Sequence, residues 1–260
     1  NSGAGGAGGS GIVIVRYTGA STAIATSITD TVASDTFAAI TGTLSATDAD
    51  ASTTLTYGIA TIPVTNGVAT TVGTYGTLAV TATTGAYTFT PNAAAINALA
   101  ANTTETFSVT VSDGTATTTA TLTVNLTGVN DTPTVAAPAS FALTEDVAGN
   151  LTYTGTPFAD VDSATLTVTL SVSEGTVTGN AGTGITVAGS ETARTFAGTV
   201  AALNTYFTTA GKITYQGALD NTTDRTLTTQ VSDGSLTATT TSTLNFTAVN
   251  DAPTVFAPAS

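Results

Sequence analysis

The 260-residue chain contains no cysteine, histidine, methionine or tryptophan. Their absence removes thiol nucleophiles, disulfides, His-assisted serine or cysteine catalysis, and the usual zinc, copper and haem sites together. Only hard oxygen ligands are left. Basic residues are nearly as scarce, with 4 Lys and Arg against 17 Asp and Glu, a net charge of −13. No basic patch can be assembled to neutralise phosphates, so no nucleic-acid partner is expected, and an anionic membrane surface is disfavoured for the same reason. A divalent cation is the natural counter-charge. No segment approaches the ~18 apolar residues of a membrane span; the most apolar run, GIVIVRY, is interrupted by Arg16, and no membrane insertion is expected. The chain starts at Asn1 without a Met or a recognisable signal peptide, which reads as a processed protein or a piece of a longer one.

What the chain has in abundance is threonine, roughly a quarter of its residues, with 41% hydrophobic residues overall and only 8% charged. That hydrophobic content suits folding rather than disorder. Threonine is β-branched and fits a half-exposed pleated strand better than a helix interior, so the composition predicts an all-β chain. A length of 260 suits two ordinary cores better than one large one.

An internal repeat supports the count of two. VSDGTATTTATLTVNLTGVND (Val111 to Asp131) aligns without a gap on VSDGSLTATTTSTLNFTAVND (Val231 to Asp251), 120 residues later. Looser matches lie upstream. DAD (Asp48 to Asp50) corresponds to DVD (Asp160 to Asp162), and INAL (Ile96 to Leu99) to LNTY (Leu203 to Tyr206), the latter two read as core-packing turns. The changing offset places insertions in connecting loops.

Strand alternation fills both modules. TLTVTLSV sets Leu166, Val168, Leu170 and Val172 on one face and Thr165, Thr167, Thr169 and Ser171 on the other. TFSVTVSDG does the same with Phe107, Val109 and Val111 before reaching Asp113-Gly114, the favoured pair for a two-residue hairpin turn; Asp233-Gly234 repeats the device. Only NAAAINALAA (Asn92 to Ala101) reads as helix. Short strands at regular spacing in ~110-residue units predict β-sandwiches of immunoglobulin-like type, with a barrel as the alternative. Pro133 and Pro253 follow the recurring Asn-Asp pairs, where strand pairing should stop because proline cannot donate to a central ladder. Boundaries follow from these signals: a Gly-rich lead with an isolated strand over 1–20, modules over 21–131 and 132–251, and a linker or the start of another module over 252–260.

GTLSATDADASTTLTYGI, YGTLAVTATTGAYTFTP and INALAANTTETFSVTVSDGTATTTATLTVNLTGVNDTP together resemble a VCBS repeat of the bacterial cadherin-like group. LTEDVAGNLTYTGTPFADVDSATLTVTL, with the second VSDG segment, resembles the cadherin-like modules found beside such repeats. The resemblance spans about 28 to 255. It implies two tandem immunoglobulin/cadherin-like sandwiches from a large, secreted bacterial surface or biofilm-matrix adhesin of RTX type. The partners it implies are neighbouring modules of the same chain, other subunits, and a cell-surface or matrix ligand.

The expected chemistry is calcium coordination, which draws 6 to 8 oxygens from carboxylates, amides and carbonyls. Asp160 and Asp162 point the same way if the chain there is extended. Glu145 and Asp146 open the same module, and Asn130 and Asp131 enter it from the one before, so these six are expected to converge at the joint. Asp48 and Asp50, Asp30 (in TDT, where ED stands in module two), and Asp251 are the matching candidates elsewhere. Two carboxylates ~5 Å apart repel by roughly 3 kcal/mol at an effective dielectric near 20, so a joint without its cation should loosen. The plainer alternative for each group is a solvated loop acid or a turn former ahead of proline, and Asp113 and Asp233 are read as turns only.

Three alternatives stand beside a calcium-stiffened adhesive module. Ile12 to Tyr17 belongs to neither module; it reads as the last strand of a preceding Gly-rich domain, or as a strand added to a neighbouring subunit's sheet to build a filament. A carbohydrate-binding module would need exposed aromatics, and Trp is absent. Catalysis is not expected, because Glu105, Glu174 and Glu191, the only glutamates outside the joint motifs, are scattered in sequence.

Overall fold

The computed structural model describes residues 27–33, 35–48, 54–253 and 255. Asp50, the Gly-rich lead with Ile12 to Tyr17, and most of the terminal segment lie outside the described residues. The chain divides into two compact units, the first running to Val129 and the second beginning at Asn130.

The strands of the first unit are, in chain order, β1 (Ser27–Thr29), β2 (Ile40–Thr43), β3 (Thr56–Ile59), β4 (Val68–Val72), β5 (Gly76–Thr81), β6 (Ala86–Pro91), β7 (Thr103–Ser112) and β8 (Thr117–Thr127). One short helix, α1 (Ala93–Asn97), joins β6 to β7. Two four-stranded sheets form, in the orders β1-β8-β7-β3 and β2-β6-β5-β4. Period-two alternation sends Phe107, Val109, Leu122, Val124 and Leu126 inward from the first sheet, against Leu78, Val80, Tyr87 and Phe89 from the second. The opposite face of the β7–β8 ladder carries cross-strand pairs such as Thr106 with Thr123 and Ser108 with Thr121.

The second unit contains β9 (Thr134–Val135), β10 (Ser140–Thr144), β11 (Gly149–Asn150), β12 (Phe158–Ala159), β13 (Thr165–Ser171), β14 (Thr176–Gly179), β15 (Ile185–Gly189), β16 (Ala193–Thr199), β17 (Ile213–Gln216), β18 (Arg225–Ser232) and β19 (Thr237–Thr247). Its main sheet has the order β10-β19-β18-β13-β16-β15; β11-β17-β14 and β12-β9 are smaller. Leu166, Val168 and Leu170 are buried, and Val172 stands at 9% exposure, as the alternation in TLTVTLSV requires.

The two units share one feature that strand periodicity does not reveal: an early strand, β1 in the first unit and β10 in the second, runs parallel to the last. β1 pairs with β8 from Ser27↔Asn125 to Thr29↔Thr127, and β10 with β19 from Ser140↔Thr243 to Thr144↔Thr247.

Three local expectations change. The β7–β8 and β18–β19 connections are four residues long rather than two: the ladders close at Ser112↔Thr117 and Ser232↔Thr237. Asp113 Oδ1 accepts from the Thr115 and Ala116 amides at 2.6 Å each, and Asp233 Oδ1 from the Ser235 and Leu236 amides at 2.6 and 2.8 Å. These carboxylates stabilise a longer turn, while Gly114 and Gly234 occupy its left-handed position at φ 93° and 105°.

The helix of the first unit stops at Asn97, five residues long, and a longer one stands where only a turn is expected: α2 (Val200–Thr208). Thr199 caps it, accepting from the Ala202 amide at 3.2 Å. Leu203, Tyr206 and Phe207 are buried on one helical face. Phe207 meets the rings of Phe158, Tyr153 and Phe196 at 4.8, 5.1 and 5.2 Å, three edge-on contacts that no strand conformation of VAALNTYFT would make together.

The INAL and LNTY segments are therefore not equivalent. α1 leads directly into β7, whereas β17 intervenes between α2 and β18. The DAD and DVD matches do correspond topologically. Each precedes the strand (β3 or β13) that pairs with the penultimate strand of its unit.

Candidate cation site

Most acidic residues of the second unit fall into two groups. At one end Asp131, 3% exposed, donates its amide to Asp162 Oδ2 at 3.1 Å. Asp160 Oδ1 accepts from the amides of Asp162 (3.1 Å) and Ser163 (2.9 Å), a turn closed by a side chain. Asn130 Nδ2 donates to Asp233 Oδ2 at 2.7 Å and to the Asp131 carbonyl at 3.0 Å. Asn130 and Asp131, read from the repeat as the close of the first module, thus fold into the second unit.

The second oxygen of each DVD carboxylate is the informative one. Asp160 Oδ2 and Asp162 Oδ1 are buried and accept no hydrogen bond. Burying carboxylate oxygens without a donor is costly unless a cation or proton arrives. Burial, followed by the neighbouring Asp162 carboxyl, pushes the Asp160 carboxyl above the usual carboxylate range, against the Ser163 and Asp162 amides. Asp233 goes the other way: burial raises it, but donation from Asn130 and from the Leu236 and Ser235 amides outweighs that and leaves its carboxyl below the usual range.

The other group lies at the far end of β19. The Glu145 amide donates to the Thr247 carbonyl at 3.1 Å, and Glu145 Oε1 accepts from the Val249 amide at 2.7 Å, with the residue 5% exposed. Asp146, in left-handed backbone at φ 64°, accepts from the Asp220 amide at 2.8 Å. Glu145, Asp146 and Asp251 can each bring one carboxylate oxygen within 4.8 Å of the others. Desolvation and then the Asp220, Asp146 and Glu145 carboxylates raise the Asp251 carboxyl.

The six residues expected to converge do not. β19 begins beside the Asp233 turn and ends at Thr247 beside Glu145, and its 11 residues cover roughly 35 Å at ~3.3 Å per residue. Glu145 and Asp146 therefore join Asp251 at one end, while Asn130, Asp131, Asp160 and Asp162 gather at the other. The physical reason is the path between Asp131 and Glu145: it passes through β9 and ends in β10, which runs parallel to the last five residues of β19 and so delivers Glu145 to the Thr247 end.

In the first unit, Asp30 is 1% exposed and donates its amide to the Thr127 carbonyl at 3.0 Å, the counterpart of Glu145 on Thr247. Asp48 is half-buried ahead of β3. Asp50 falls outside the described residues.

Sequence reasoning missed Asp220 and Asp233. The repetition of Asp233 at Asp113 was a usable signal, but turn chemistry alone accounted for it. Asp220 sits in a stretch with no counterpart in the first module, and only the fold brings it to Asp146. The described cations are engaged elsewhere: Arg225 pairs with Glu174 and reaches the Thr223 carbonyl, Arg194 bonds the Val177 and Gly189 carbonyls, and Lys212 bonds the Ala181 carbonyl.

Residues 20–128 match the family of bacterial cadherin-like domains. No curated protein matches the chain. Among solved structures it is similar to protocadherin gamma B2 extracellular cadherin domains 1-5 at 16% identity and TM-score 0.35, covering 86% of this chain and 38% of that one. Drosophila N-cadherin EC1-3 follows at 12% identity and TM-score 0.27, covering 80% of this chain and 60% of that one. The endo-fucoidan hydrolase MfFcnA4 from glycoside hydrolase family 107 is similar at 15% identity and TM-score 0.27, covering 86% of this chain. The chain spans 28% of the hydrolase's length.

Proposed function

We propose that this chain is a non-catalytic, extracellular structural and adhesive segment of a bacterial surface or matrix protein, and that calcium stiffens it through the acidic groups at the ends of its modules. The observation that carries the calcium reading is the pair of buried, donor-less oxygens Asp160 Oδ2 and Asp162 Oδ1. Their partner oxygens are already fixed by backbone amides, so both carboxylates are held in place. Calcium fits this set. It is a hard cation that takes carboxylate, amide and carbonyl oxygens, and its charge would relieve the repulsion among Asp131, Asp160 and Asp162. Those three residues, with Asn130 and Asp233 beside them, would hold one ion. Glu145, Asp146, Asp220 and Asp251 would hold another, which the proximity of the Glu145, Asp146 and Asp251 carboxylates supports. In the first unit, Asp30, Asp48 and Asp50 are the proposed counterparts.

The family match over 20–128 supports the adhesion-type reading. The proposed partners are neighbouring modules and a surface or matrix ligand. The test is calcium titration by calorimetry on the 260-residue chain, paired with melting in chelator. At least one binding event and a lower melting temperature without calcium are expected. Replacing Asp160 and Asp162 together by Asn should remove one event, and an unaltered titration would clear both residues of the role.

A further inference from the structure

We infer that Asn204 is a positioning residue for the Asp131, Asp160 and Asp162 end of the second unit, acting through the main chain of Phe158; the inference rests on the calcium reading above. Asn204 Oδ1 accepts from the Phe158 amide at 2.9 Å, and its Nδ2 donates to the Phe158 carbonyl at 2.8 Å. The carboxamide thus makes the pair of bonds that a neighbouring strand would make.

The position of those bonds matters. Phe158 opens β12, whose other edge is taken by β9 through Phe158↔Val135 and Ala159↔Thr134, with the Ala136 amide donating to the Pro157 carbonyl at 2.8 Å. A two-residue ladder does not persist alone. β9 leads back to Asp131 and β12 leads on to Asp160, so the register of this small ladder sets where Asp131 meets Asp162. Asn204 closes its open side. The same helix holds the Phe158 ring, through Phe207 at 4.8 Å. Backbone and side chain two residues ahead of Asp160 are therefore both tied to α2.

Asparagine is a costly choice for this place if packing is the only demand. It is a poorer helix former than Leu or Ala, and Leu203, Tyr206 and Phe207 already supply the buried face of α2. Its carboxamide is the part that the loop requires. Groups one shell removed from a cation commonly change its affinity about tenfold to a hundredfold by holding the ligands in place.

Calorimetric calcium titration of the 260-residue chain, in wild type, Asn204→Asp and the paired Asp160→Asn, Asp162→Asn variant, tests this. Asn204→Asp is isosteric but sets an oxygen against the Phe158 carbonyl, and its added negative charge by itself favours a cation. A loss of affinity therefore reports geometry. The expected result is about tenfold weaker binding in the event that the paired variant removes, with the event at Glu145, Asp146 and Asp251 unchanged. If the paired variant titrates like wild type, the calcium reading falls and takes this inference with it. If the paired variant loses an event that Asn204→Asp retains at full affinity, the positioning role alone falls.

Should Asn204→Asp not fold, amide exchange on the wild type decides. Coupling is reciprocal, so calcium should slow exchange of the Phe158 amide about tenfold. Unchanged protection there would overturn the role.

Discussion

Glu105 offers the sharpest test of how the first unit is held together. It sits on β7 at an inward position and is 8% exposed, between Phe107 and the turn that joins β4 to β5 in the opposite sheet. Its Oε1 accepts from the Thr74 amide at 2.5 Å and both oxygens accept from the Tyr75 amide at 3.1 to 3.2 Å. The carboxylate therefore ties one sheet to a hairpin turn of the other. Hydrogen bonds to a charged group contribute about 1.5 to 3 kcal/mol each. Glu105→Ala removes the acceptor and leaves two amides without one, for a net loss of about 3 kcal/mol. Glu105→Gln keeps one acceptor without the charge and should cost about 1 kcal/mol. At ~2.1 cal/mol/K per residue over a unit of this size, 3 kcal/mol lowers the melting temperature by roughly 10 °C. Gly73→Ala attacks the same contact from the other side, because a Cβ there would run into the Glu105 carboxylate. The assay is calorimetric melting in chelator, with amide exchange to assign the transition to the first unit. A Glu105→Ala transition within about 1 °C of wild type, far short of the roughly 10 °C worked above, would refute the clamp.

Two further outcomes are expected. Tyr153→Phe should cost about 1 to 2 kcal/mol, because its hydroxyl lies 2.6 Å from that of Thr229, which is 0% exposed, and the survivor would be buried unpaired; adding Thr229→Val should recover much of the loss in a double-mutant cycle. In chelator, the raised Asp160 carboxyl makes a contribution that is fully present below the ordinary carboxyl range and is lost as pH rises through its raised value, whereas the lowered Asp233 carboxyl contributes above that range and loses its contribution as pH falls. Melting from about pH 4 to 7 with and without Asp160→Asn checks the first part: the variant should lose the decline with rising pH, and calcium should suppress that decline in wild type.

Much of this was legible in the residues. Alternation in TLTVTLSV and TFSVTVSDG identified buried faces because a strand's period of two admits only one inward set. The VSDG repeat identified two hairpins of the same construction, and the oxygen-only side-chain inventory narrowed the chemistry to hard cations. The helix over Val200–Thr208 was half legible: Leu203, Tyr206 and Phe207 have helical spacing, but the threonines and aromatics around them have strand propensity, and packing against Phe158 and Phe196 decided between the two. The length of the Asp-Gly turns was not legible, because the Asp carboxylate stabilises a four-residue connection as well as a two-residue one.

By itself, the sequence determined the all-β class, the doubled hairpin and the list of oxygen ligands, since these depend on residue type and on period, which are local. Which ligands share an end was decided only by the tertiary structure. A parallel β10 and β19 pairing carries Glu145 away from Asp131, α2 brings Asn204 to Phe158, and an otherwise unmarked loop delivers Asp220 to Asp146. Such neighbours are set by where a strand exits its sheet, and strand exits follow from long-range pairing that no stretch of residues encodes alone.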